Sequence, residues 1–350
     1  MEGIKSGRSV GIDIIKSMAA IFVLCVHFSL NTKYYQTPII NTNMFIQSCL
    51  RWLFFAGVPL FIICTGYLNY KNKISRSYYL KIFRVLIPYV LISILCLILK
   101  KPVSFQNAVY SIFNFTADSY SWYVNMYIGL FLLAPLFNVV INTLDKKKLF
   151  ILLCTLLFVI AVPATLNPFF VNIPKISFIY FPDWWKGLYP ILYYFIGAYI
   201  SKYQITIKKS ISFAIVVILI CLQTVLQIML NQYKFNNWFM SDYSSLFVVA
   251  ESIGLFLLFY SSNVKRKAFQ SIVKCVSMLT LEIYLCSYIT DSYLYPYFSS
   301  HFYGPTNPMS QEMIFKNYFL MIVPLTFISS LALSIAIYAL YKLCKKVLRL

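Results

Sequence analysis

Charge is scarce in this 350-residue chain: only 11% of residues are charged, against 60% hydrophobic. A soluble domain carries about a quarter charged residues. The shortage excludes an ordinary water-soluble globule, because a protein core cannot absorb so much apolar side chain and a bilayer can. A glycine-rich phosphate loop, a zinc-ligand spacing and a Ser/His/Asp order are also missing. Nothing local therefore points to a phosphate-loop enzyme, a zinc enzyme or a triad hydrolase. Histidine occurs twice, at His27 and His301. The nine cysteines lie mostly inside apolar runs without metal-ligand spacing. They read as small buried or lipid-facing residues, and no metal is expected. No small-residue cleavage site follows the first apolar run, so it reads as a spanning helix rather than a signal peptide. No soluble domain, low-complexity linker or internal repeat is evident.

What is present is a series of long apolar runs. A spanning helix needs about 20 largely apolar residues. Ten segments qualify, near 10–30, 46–69, 82–100, 121–142, 149–167, 187–201, 210–230, 244–261, 270–296 and 317–344. The expected fold is an all-α, polytopic integral membrane bundle of about ten helices, one domain over residues 1–350, surrounded by membrane lipids. The net charge of +20 could suggest nucleic acid, but the basic residues sit in short clusters between apolar runs. With the N-terminus inside, 21 of the 30 basic residues fall on cytoplasmic segments and 8 on external ones, Lys16 lying within helix 1. This is the positive-inside pattern; it places both termini in the cytoplasm and excludes a nucleic-acid groove. The aromatic stretch Tyr180 to Trp185 suits the external headgroup level.

Ionisable groups inside spanning helices are costly and so mark candidate sites. Helix 1 has three: Asp13, Lys16 and His27. Lys16 and His27 are eleven residues apart. That spacing returns them to within roughly 20° of one face, about 16 Å apart along the axis. Asp13 is one turn from Lys16 and can pair with it. An interfacial pair with a snorkelling lysine, and a His27 that only bonds a neighbouring helix, are the plain alternatives. Glu251 and Glu282 are further mid-membrane acids. Each could orient a histidine or contact a polar ligand, or simply bond a neighbouring helix. Arg76, Lys81 and Arg84 follow helix 2. They read as a topological signal or as a site for a phosphorylated donor such as coenzyme A. His301 falls in an external loop and is expected to be solvated.

These residues resemble the acyltransferase 3 family of bacterial membrane acyltransferases over nearly the whole chain. Asp13, Lys16 and His27 are similar to its opening signature of an acid, a basic residue, ten residues and histidine. Lys16 stands where arginine is usual; it keeps the charge and loses the bidentate fork. Gly57-Val-Pro-Leu-Phe-Ile-Ile-Cys-Thr-Gly-Tyr-Leu68 is similar to the helix 2 motif, with Thr65 where serine is common. Tyr79-Leu-Lys-Ile-Phe-Arg-Val-Leu-Ile-Pro-Tyr89 resembles the basic segment, placing Lys81 and Arg84 at positions linked to acyl-CoA. The segment from Trp122 through Asn125 to Leu136 resembles the helix 4 pattern. Ile283-Tyr-Leu-Cys-Ser287 resembles a late segment that often ends in histidine; here it ends in Ser287, so no second histidine role is expected.

The resemblance implies transfer of an acyl group, usually acetyl, from cytoplasmic acyl-CoA to a hydroxyl of a cell-surface glycan or its lipid-linked precursor. The expected location is the bacterial cytoplasmic membrane, and a homo-oligomer is open. On this reading His27, Asp13, Lys16 and Glu282 form the catalytic set. Arg76, Lys81, Arg84, Trp122 and Asn125 bind the donor, acetyl-CoA. The rival readings are a multi-helix carrier of a small molecule and a non-catalytic component of glycan assembly. A carrier should show paired interrupted helices in a repeat, and none is visible.

Overall fold

With no water in the bilayer core, an apolar chain satisfies its backbone by folding into helices. The computed structural model describes residues 8–99, 104–171, 181–231, 233, 235, 242–304 and 308–347, and these form helices without any strand. In chain order the α-helices are α1 (Val10–Asn31), α2 (Thr42–Phe55), α3 (Gly57–Asn69), α4 (Arg76–Tyr79), α5 (Phe83–Leu99), α6 (Phe105–Phe113), α7 (Trp122–Thr143) and α8 (Lys146–Leu156). They continue with α9 (Val162–Val171), α10 (Tyr189–Tyr203), α11 (Lys209–Leu230), α12 (Leu246–Phe259), α13 (Lys267–Met278), α14 (Thr280–Phe298) and α15 (Gln311–Val347). Of the basic residues in the charge contrast, Lys5, Lys100, Lys101, Lys175, Lys234 and Arg349 lie outside the described residues, as does Tyr180.

Each of the ten expected segments contains a helix. Among the described residues, seven are long and apolar enough to cross a bilayer, and α13 with α14 gives an eighth if the bent pair is one span. The other two are shorter: α10 has 15 residues and α12 has 14. At about 1.5 Å per residue they reach roughly 21–23 Å, short of a hydrocarbon core of about 30 Å. The expected single helix over 270–296 is broken at Leu279, where α13 and α14 meet at 70°. No glycine or proline stands at the break.

Close helix crossings fix the centre of the bundle. Where α3 meets α10, a Cβ added at Gly66 would lie 2.0 Å from the Tyr194 carbonyl oxygen, and one at Gly197 would lie 2.1 Å from that of Ile63. Only glycine fits at these two points, which is how membrane helices approach without a hydrophobic drive between them. Helix α1 runs through the middle of the assembly and packs on α3, α13, α2 and α14. It carries the polar residues that matter below, one group at each end.

Candidate active site

His27, near the far end of α1, is 4% exposed. Its Nδ1 lies 3.2 Å from Oδ2 of Asp291 and 3.3 Å from Oγ of Ser287, both on α14. Ser287 and Asp291 are four residues apart and share one face of that helix. The hydroxyl of Ser287 donates to the Tyr284 carbonyl at 2.7 Å, so it offers His27 a lone pair. Both neighbours of Nδ1 are therefore acceptors. The proton belongs on Nδ1, and Nε2 is left as the basic nitrogen.

Tyr120 completes the surround. Its ring stacks on the imidazole at 3.9 Å between centroids, and its hydroxyl donates to Asp291 Oδ2 at 2.9 Å. Tyr284 donates in turn to the Tyr120 carbonyl at 2.7 Å. Asp291 is 3% exposed, and its Oδ1 has no hydrogen-bond partner among the described residues.

The other end of α1 is built differently. Asp13 does not pair with Lys16, as the one-turn spacing suggested. Arg8, just before the helix, grips it through both oxygens, Nε to Oδ2 at 2.7 Å and Nη2 to Oδ1 at 2.8 Å. Ser277 of α13 donates to Oδ1 at 2.6 Å. A planar fork matches a carboxylate better than a lysine one turn away can. Lys16 makes no ion pair among the described residues and lines a cavity between the two ends.

Glu282 does not approach His27. It lies nine residues before Asp291, which at about 100° per residue puts it on the opposite face of α14. There it is fully buried and ion-paired with Arg84 of α5. Arg84 also donates to the Met278 carbonyl at 2.8 Å, and its guanidinium lies 5.1 Å and 4.9 Å from the rings of Tyr338 and Tyr341. Glu251 accepts from Gln223 of α11 at 3.1 Å, a helix–helix contact rather than a site group.

Three cavities run along these residues. One of about 550 Å³ is lined by Lys81, Arg84 and Lys345 together with Tyr78, Phe131 and others, none of them acidic. It shares Thr65, Asn69, Val85 and Tyr127 with a central cavity of about 210 Å³ that also holds Lys16 and Cys64. The central cavity shares Val23, Val58 and Tyr284 with a third, of about 390 Å³, lined by His27, Asn31, Tyr120, Trp122 and Tyr243. The expected donor residues thus separate. Lys81 and Arg84 line the basic cavity, whereas Trp122 lines the His27 cavity. Arg76 and Asn125 are exposed and line none of these three.

The sequence reading missed Asp291, Ser287 as a histidine neighbour, and Tyr120. Asp291 was within reach. It is an acid inside the same apolar segment as Glu282, and its i, i+4 relation to Ser287 marks a polar face.

Comparison with curated proteins and with solved structures gives no match. The family model described as an acyltransferase domain, Acyl_transf_3, matches residues 9–339, nearly the whole chain. Its span takes in all of α1, Lys81 and Arg84 of the basic cavity, and the histidine with its partners on α14, and the chain therefore belongs to the acyltransferase 3 family, as a membrane-embedded acyltransferase.

Proposed function

We propose that the protein transfers an acyl group, acetyl in the simplest case, from cytoplasmic acyl-CoA to a hydroxyl of a cell-surface glycan or its lipid-linked precursor. The observation that carries this reading is the series of three cavities with shared walls, basic at one end and holding His27 at the other. A polyanionic donor suits the end lined by Lys81 and Lys345, where no lining side chain is acidic. Arg84 is already neutralised by Glu282, so the two lysines are the better phosphate contacts. The thioester arm would then follow the central cavity past Lys16, whose ammonium attracts the donor from within.

At the far end the chemistry needs a base. His27 Nε2 takes the proton of the acceptor hydroxyl as its oxygen attacks the thioester carbonyl. Asp291 holds the imidazole in the required tautomer and balances the imidazolium that forms. As the tetrahedral intermediate collapses, the C–S bond breaks and the imidazolium returns its proton to the departing thiolate. The aromatic walls limit water, which would otherwise hydrolyse the thioester. Asp13, with Arg8 just before α1 and Ser277 on α13, anchors the helix that carries His27.

The test is turnover of radiolabelled acetyl-CoA, with water as the acceptor, by purified protein in lipid nanodiscs. Wild type is expected to bind and slowly hydrolyse it. His27→Ala should bind equally and lose turnover by about 10²–10⁴-fold. A folded wild type that neither binds nor consumes acetyl-CoA would sink the proposal.

A further inference from the structure

The break between α13 and α14 has no local cause in the sequence. At the C-terminus of α13 the Met278 carbonyl loses its helical partner, as the last carbonyls of any helix do. At the N-terminus of α14, Glu282 sits in the first turn, where the helix dipole favours an acid. Leu279 stands between the helices with φ −111° and ψ 12°; its backbone N–H donates to the Val276 carbonyl and its own carbonyl accepts from Ile283 N–H, but no side chain caps either end locally. One side chain from elsewhere bridges the two helices, meeting the last turn of α13 at a backbone carbonyl and the first turn of α14 at a carboxylate. Arg84 of α5 donates to the Met278 carbonyl at 2.8 Å and forms the ion pair with Glu282. The two ring faces of α15 beneath its guanidinium hold it in place.

The consequence reaches the base. Helix α14 carries Ser287 and Asp291, and their distances to His27 Nδ1 depend on how α14 leaves the elbow. Helix α1 is tied independently to α13, through Asp13 and Ser277. The elbow angle is thus the relation between the helix bonded to α1 and the helix that presents the partners of His27. We propose that Arg84 is a positioning residue: it staples the α13–α14 elbow and so sets Ser287 and Asp291 against His27. This rests on His27 acting as the base. Arg84 also lines the basic cavity, so the same guanidinium links the donor end to the histidine end.

A donor-contact role and a positioning role separate cleanly in the kinetics. Two variants are needed, Arg84→Lys and Glu282→Gln. Lysine keeps the charge but cannot fork to both Met278 and Glu282. Glutamine removes the ion pair from the side of the elbow, at a residue that lines none of the three cavities. Acetyl-CoA hydrolysis in nanodiscs gives kcat and KM. Spin labels at positions 272 and 293, which carry exposed Ile272 on α13 and Tyr293 on α14, report the elbow in a background without exposed cysteines.

Both variants are expected to lower kcat by about tenfold or more, to leave the KM for acetyl-CoA within about twofold, and to broaden the label distance. A raised KM with unchanged kcat and unchanged distance in Arg84→Lys, with Glu282→Gln silent, would overturn the proposal in favour of simple donor contact. Should one variant fail to fold, the other decides by the same readouts. Absence of hydrolysis by wild type would count against the functional reading alone. The label distances would then still decide whether Arg84 holds the elbow.

Discussion

Helix α1 ends in two acid-centred clusters of opposite design. At the Arg8 end both oxygens of Asp13 are engaged by the guanidinium fork, and Ser277 adds a third bond. At the His27 end Asp291 accepts through Oδ2 alone, and its Oδ1 has no partner among the described residues. The first cluster is saturated and half open to solvent, with the Arg8 side chain 42% exposed. The second is buried and leaves a ring nitrogen uncommitted. A saturated ion pair can fix a helix but has nothing left to offer a reactant. A buried imidazole with one nitrogen held and the other spare has what the proposed proton transfer needs.

The contrast is broken most directly at Asp291. In Asp291→Asn the side chain keeps its shape but can present an N–H to Nδ1. That favours the opposite tautomer and removes the base from Nε2. We expect kcat for acetyl-CoA hydrolysis to fall by about 10²-fold, with the donor KM unchanged. A fall of less than about threefold would mean that something other than Asp291 sets the tautomer.

A smaller effect sharpens the same end. Ser287 gives its proton to the Tyr284 carbonyl and contributes only a lone pair to His27. Ser287→Ala therefore removes one neutral hydrogen bond, typically about 0.5–1.5 kcal/mol, or about two- to tenfold in kcat. A loss as large as that of Asp291→Asn would show that the serine holds the ring as firmly as the carboxylate does.

The two ends also differ in how far they could be read from the sequence. The helical membrane architecture was legible because the apolar runs match bilayer thickness and need no partner to be recognised. His27 was legible because it is one of two histidines and shares a face with Lys16. Its partners were not, because they belong to α14, far along the chain, and a lone sequence does not say which helix faces which. From sequence Glu282 is an acid that could orient a histidine, and Asp291 goes unremarked; the two stand on opposite faces of α14, and it is Asp291 that meets His27. The elbow was hidden for a related reason: its staple comes from α5, so no glycine, proline or cap marks it locally. Asp13 was paired with Lys16 on spacing within the helix, whereas its partner precedes the helix altogether.

The least disruptive change to catalysis should be at Asp13. It lies fourteen residues before His27 on α1, about 21 Å along the axis. It lines none of the three cavities described above. Asp13→Asn removes the ion pair with Arg8 and leaves Arg8 and Ser277 with a weaker acceptor, a loss of about 1–2 kcal/mol once the open position of Arg8 is allowed for. Thermal inactivation in nanodiscs should move to lower temperature, while kcat at a permissive temperature stays within about twofold. A drop of more than about tenfold in kcat, with the protein still folded, would erase the distinction between the two ends. The Arg8 cluster would then have to act on the reaction through Lys16 or through α13, and the division of α1 into an anchored end and a reactive end would fail.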